Sequence, residues 1–144
     1  MLIIDLNGLK EANDNLGHDA GDSLLRRFGE VLNSVISAPV CAARIGGDEF
    51  AVLMPGADTK AAEAMIDTIY ELMAINNQFY STAPLSVAIG LATSRDGESM
   101  EEMVKRADRA MYEEKQAYHA GLSDGMSRRN GPVPANSKGK VSAA

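Results

Sequence analysis

The chain has 144 residues, 45% hydrophobic and 24% charged, which suits one globular domain with a real apolar core. Its formal net charge is −6, and residues 123–144 carry four basic side chains against one acid, so the remainder is about nine units negative. That sign excludes general attraction to a nucleic-acid backbone, and a lone cysteine, Cys41, excludes a disulfide framework or a Cys-rich metal site.

Leu2-Ile3-Ile4-Asp5-Leu6 reads as a first strand, too short for a signal-peptide core. A polar helix over residues 9–16 follows, closed by Gly17. A second helix runs to Ile36, its apolar face made by Leu24, Leu25, Phe28, Val31, Leu32 and Val35 at three- and four-residue spacing. Val40 to Ile45 and Phe50 to Met54 read as strands, with Cys41 as a small buried hydrophobe. Between them, Gly46-Gly47-Asp48-Glu49 predicts a tight hairpin whose glycines supply positive φ.

Ala62, Met65, Ile66, Ile69, Leu72 and Met73 define a third helix, and Leu85 to Leu91 a further strand. Ser99 and Glu102 form a capping box for a fourth helix that is expected to end near Tyr118, with Met100, Met103, Val104, Ala107 and Met111 inward. No run reaches the roughly 18 apolar residues of a membrane span. Residues 122–144, rich in Gly, Pro, Ser and Asn, read as a disordered tail or linker.

The order strand, two helices, strand, hairpin strand, helix, strand, helix predicts an α/β fold. The expected form is an α+β sandwich with a mixed central sheet and flanking helices.

Asp5 closes one strand and Asp48 sits on a hairpin turn. If those strands are neighbours, two carboxylates meet at one sheet edge and suit Mg²⁺, which takes one or two protein carboxylates and leaves positions for phosphates. Gly46 and Gly47 leave room for a nucleotide against the backbone. Gly8 and Leu9 open a helix whose N–H groups suit a phosphate, with Lys10 adjacent. From the residues alone, Asn13 and Asp22 read as helix caps. Lys115, flanked by Glu113 and Glu114, reads as a solvated cation, His18 as a turn or packing residue rather than a ligand, and His119 as a helix-end residue.

Three stretches, in order, resemble the GGDEF-domain diguanylate cyclases: Asp5-Leu6-Asn7-Gly8-Leu9-Lys10 with Asn13-Asp14 and Gly17-His18-Asp19-Ala20-Gly21-Asp22; Arg44-Ile45-Gly46-Gly47-Asp48-Glu49-Phe50; and Arg106-Ala107-Asp108 with Met111-Tyr112 and Lys115. The likeness covers residues 1 to about 120. It implies a nucleotidyl-cyclase or polymerase-palm-like domain over residues 1–121 with a catalytic hairpin.

By that resemblance, Asp5, the Leu6 carbonyl, Asp48 and Glu49 would hold two Mg²⁺ or Mn²⁺ ions, with Asp48 and Glu49 catalytic. Gly8, Leu9, Lys10, Asn13, Asp22, Gly46, Gly47 and Lys115 would bind GTP, with Asn13 and Asp22 on the guanine edge. The implied reaction joins two GTP into cyclic di-GMP in a homodimer. An upstream sensory module, a cytoplasmic bacterial location and no membrane or nucleic-acid contact by this segment are expected with it. The alternative is a catalytically weak GTP-binding or regulatory domain acting through dimerisation or partner binding.

The resemblance also marks departures. Family members usually begin with a helix ahead of the first strand, so the chain reads as an N-terminally truncated domain. The inhibitory Arg-x-x-Asp positions are Ser37-Ala38-Pro39-Val40, so no feedback binding of cyclic di-GMP is expected. Asn7 replaces a frequent second acid, and His119 replaces a frequent arginine.

Overall fold

A computed structural model describes the backbone of residues 1–129 and the side chains of residues 1–121. The elements follow the expected order: β1 (Leu2–Leu6), α1 (Leu9–Leu16), α2 (His18–Val35), β2 (Cys41–Arg44), β3 (Glu49–Leu53), α3 (Thr59–Phe79), β4 (Val87–Leu91) and α4 (Met100–Arg129). Helix α4 runs past the expected boundary at Tyr118. The rest of the expected tail, residues 130–144, lies outside the described residues.

The four strands lie in the order β2-β3-β1-β4, and every pairing is antiparallel. The expectation of a mixed sheet is therefore corrected, and the connections give the reason. Strands β3 and β4 point the same way, but β1 lies between them; β1 and β2 point the same way, but β3 lies between them. Each helical crossover thus joins parallel strands that are never adjacent, and no parallel ladder forms.

Helices α2 and α3 cover one face of the sheet and α4 the other. Side chains alternate along a strand, so Leu2, Ile4 and Leu6 enter the larger core with Leu24, Phe28, Val52, Ile69 and Met73. Phe28 and Phe50 meet edge to face, 5.0 Å apart. Ile3 points the other way and packs with Ala88, Ala92, Ala107 and Met111. This second layer is thin. A Cβ on Gly90 would lie 1.8 Å from the Ala107 carbonyl oxygen, so the missing side chain is what lets α4 sit directly on β4.

Two devices anchor α4. The capping box forms as expected: the Ser99 amide donates to Glu102 at 2.8 Å and the Glu102 amide to Ser99 Oγ at 3.2 Å. Further along, Glu114 accepts from the Ile89 amide at 2.7 Å and from the Tyr70 hydroxyl at 2.8 Å. That carboxylate uses a backbone donor of edge strand β4 that would otherwise be open for pairing.

Two expected core residues are exposed. Met100 is 57% exposed, because it begins α4 beyond the sheet. Cys41 is exposed because β2 is an edge strand with every residue open to solvent. Among the described residues, no helix is long and apolar enough to cross a membrane.

Candidate active site

The site grows from the end of β1 that faces α4. Asp5 stands directly opposite Glu49 of β3, and such partners project from the same face. The Leu6 amide donates to the Asp48 carbonyl at 2.8 Å, which fixes the hairpin turn beside the end of β1. Asp5, Asp48 and Glu49 are thus brought together at one edge by strand register.

The turn is built differently from the sequence expectation. Neither Gly46 nor Gly47 has positive φ. The Ile45 amide donates to the Glu49 carbonyl at 2.9 Å, and the Arg44 guanidinium donates to the Gly46 carbonyl at 3.0 Å and the Gly47 carbonyl at 2.9 Å. Arg44 therefore braces the turn from below, and left-handed backbone is not needed. Gly47 stays open: a Cβ there would meet nothing within 4 Å.

Lys115 reaches down from α4 and pairs with Asp5 Oδ2 at 3.0 Å. Asp5 is only 4% exposed, and its Oδ1 is buried without a hydrogen-bond partner. Burial pushes the Asp5 carboxyl above its usual range, against the opposing hydrogen bond from Lys115, and the charges of Asp48 and Asp108 add to the rise. Burial and the charges of Asp5, Asp108 and Asp48 likewise raise Glu49. Burial works against the charge of Lys115, but its bond to Asp5 and the neighbouring acids outweigh that, so its pKa rises.

Asp5, Glu49, Asp108, Met111, Tyr112, Lys115, Gln116 and His119 line a cleft of about 250 Å³. A buried carboxylate oxygen with no partner, set among hard oxygen donors, fits a divalent cation. Among the described residues, no three His, Cys, Asp or Glu side chains converge closely enough to hold an ion by themselves. An ion here would need oxygens from water or substrate, as Mg²⁺ commonly does.

The other expected residues sit around the first helix turns. Gly8 has φ +75° and opens α1, its carbonyl accepting from the Ala12 amide at 2.9 Å. Leu9 packs against the core and Lys10 is exposed. Asn7 is buried; its amide nitrogen donates to Ser86 Oγ at 3.1 Å, while its Oδ1 has no partner. Asn13 Oδ1 accepts from the Gly21 amide at 3.1 Å, and a Cβ on Gly21 would lie 2.1 Å from that oxygen. Asp22, the next residue, is exposed at the start of α2. Asn13 and Asp22 are thereby carried on two helices that meet at the Asn13–Gly21 contact, and neither lines the Asp5 cleft.

Sequence reasoning assigned no role to Arg44, Asp108 or Glu114. Asp108 had a readable signal: with Met111, Tyr112, Lys115 and His119 it recurs at helical spacing on one face of α4. Arg106, two residues before it, does not line the cleft and clamps Glu98 and the Thr93 carbonyl ahead of α4.

A family model described as diguanylate cyclase, GGDEF domain, matches residues 1–120. The chain belongs to the GGDEF-domain family. The domain is 34% identical over 119 residues to Diguanylate cyclase A of Treponema denticola, covering 81% of this chain and 32% of that protein. It spans between 15% and 38% of the length of the first curated relatives it matches. The fold matches the GGDEF domain of DgcB from Caulobacter crescentus, solved with c-di-GMP, with a TM-score of 0.71 at 29% identity over 81% of this chain and 71% of that one. It also matches the active GGEEF domain of a diguanylate cyclase from Vibrio cholerae, with a TM-score of 0.72 at 26% identity over 81% of this chain and 75% of that one.

Proposed function

We propose that this GGDEF domain is a diguanylate cyclase, converting two GTP into cyclic di-GMP and two pyrophosphates, with residues 1–121 as the catalytic unit. The observation that carries the reading is the buried, partnerless Asp5 oxygen beside Glu49 and Lys115. A carboxylate kept dry and unsatisfied costs stability, and a bound cation is the partner that repays it.

Asp5, Asp48, Glu49 and the Leu6 carbonyl would hold Mg²⁺ or Mn²⁺, two per site. When bound, such ions lower the pKa of a ribose 3′-hydroxyl and offset charge on an α-phosphate. The 3′-oxygen attacks the α-phosphorus of the second nucleotide, the bond to the β-phosphate oxygen breaks, and pyrophosphate leaves. Glu49, directly opposite Asp5 at the foot of the hairpin, would take the 3′-hydroxyl proton onto its carboxylate.

The amides of Gly8 and Leu9, with Lys10 and Lys115, would hold the triphosphate. Gly46 and Gly47 let the nucleotide lie against the hairpin. Asn13 and Asp22 would read guanine; the Asp22 carboxylate accepts from both the ring N–H and the exocyclic amine, a pair adenine does not offer. One domain binds one GTP, so two copies must face each other across a twofold axis. A GTP substrate places the domain on the cytoplasmic side, downstream of a sensory module in the full protein. Ser37 and Val40 lack the charges of an inhibitory site, so added cyclic di-GMP should leave the rate unchanged.

The test is incubation with GTP and Mg²⁺ and chromatography of the products. Cyclic di-GMP supports the reading. GTP binding without product, at protein concentrations that form dimers, would favour the regulatory alternative.

A further inference from the structure

We propose that Asp108 is a fourth carboxylate of this site, accepting hydrogen bonds from the water shell of the bound divalent cation rather than ligating the ion directly. The inference rests on the cyclase reading and adds a residue to it.

Three observations carry it. Asp108 lines the same cleft as Asp5, Glu49 and Lys115, from the helix on the opposite wall. Its side chain is exposed and, among the described residues, has no hydrogen bond or ion pair, so the fold makes no use of it. Asp5 lines that cleft and carries a buried oxygen with no hydrogen-bond partner, which a ligand there would satisfy.

Asp5 and Glu49 meet on adjacent strands, whereas Asp108 stands on the helix across the cleft and is exposed to solvent. Mg²⁺ gives up its waters reluctantly and keeps several of them. A carboxylate one water layer away can accept from those waters and contributes to affinity as an outer partner. The remaining lining residues on α4 are Met111, Tyr112, Gln116 and His119, none of them a carboxylate.

The test is titration of the full chain with Mn²⁺ alone, read by electron paramagnetic resonance of the free ion, at fixed ionic strength. Asp108→Asn should weaken binding by about tenfold with unchanged helix content. Asp108→Ser should match it. Hexaamminecobalt(III), whose ammine shell exchanges too slowly for direct ligation, should lose affinity for the same variants. Glu101→Gln, an exposed acid of α4 paired with Lys105, controls for overall charge and should stay within about twofold. Asp108→Asn within about twofold of wild type, or an equal loss in Glu101→Gln, overturns the inference. Asp5→Asn separates the two claims: if it weakens Mn²⁺ binding and Asp108→Asn does not, only the role of Asp108 falls. If Asp5→Asn has no effect, the metal site falls, and Asp108 with it.

Discussion

The two faces of the sheet divide the labour of the domain. The face under α2 and α3 is filled by Leu2, Ile4, Leu6, Phe28, Val52 and Ile69, large side chains that pack into one core. The face under α4 is built from Ile3, Met111 and the small residues Ala88, Ala92 and Ala107 beside Gly90. Beyond that thin layer, the same alternation that sends Leu6 into the core sends Asp5 toward Lys115. One face thus supplies stability, and the other spends some of it on a buried acid with an unsatisfied oxygen.

That contrast can be broken from either side. The largest effect is expected from Asp5→Asn, which should cut cyclase turnover by on the order of a thousandfold, as loss of several kcal/mol of metal-derived stabilisation implies. Circular dichroism and urea unfolding should show the fold retained. Phe28→Ala should do the reverse. It should destabilise the domain by about 4 kcal/mol in urea unfolding, while whatever protein stays folded turns over normally.

Gly90→Ala joins the two effects. The added carbon meets the Ala107 carbonyl, so α4 must shift, at about 2 kcal/mol, and Lys115 shifts with it. A raised KM for nucleotide alongside the lower stability would sharpen the comparison.

The smallest effect is a pH dependence. Glu49 has a raised pKa in the folded domain, so its protonated form favours folding. That contribution is present below the unfolded value, about pH 4, and is lost as pH rises through the raised one. Glu49→Gln should therefore leave stability unchanged in acid and increase it toward neutral pH, as measured by urea midpoints across that range.

Much of this was legible in the sequence, because the periodicities are strong. The spacing of Leu24, Phe28, Val31 and Leu32 defines α2, and the paired carboxylates near Asp5 and Asp48 follow once β1 and β3 are neighbours. What was not legible depends on contacts distant in the chain. The antiparallel sheet depends on which strand is inserted between which. The exposure of Cys41 depends on β2 lying at an edge. The Gly46-Gly47 turn depends on a guanidinium brace from Arg44 that replaces the expected backbone geometry. The helical spacing of Asp108 with Met111 and Lys115 is legible, but the carboxylates that this face of α4 meets become visible only when α4 is laid across the sheet.

The most direct test of the account compares wild type with Asp48→Ala at equal concentrations of GTP, Mg²⁺ and folded protein, following pyrophosphate and cyclic di-GMP together. The expected result is two pyrophosphates for each cyclic di-GMP from the wild type and neither product from the variant. Equal rates from the two proteins, or pyrophosphate released without cyclic di-GMP, would contradict it.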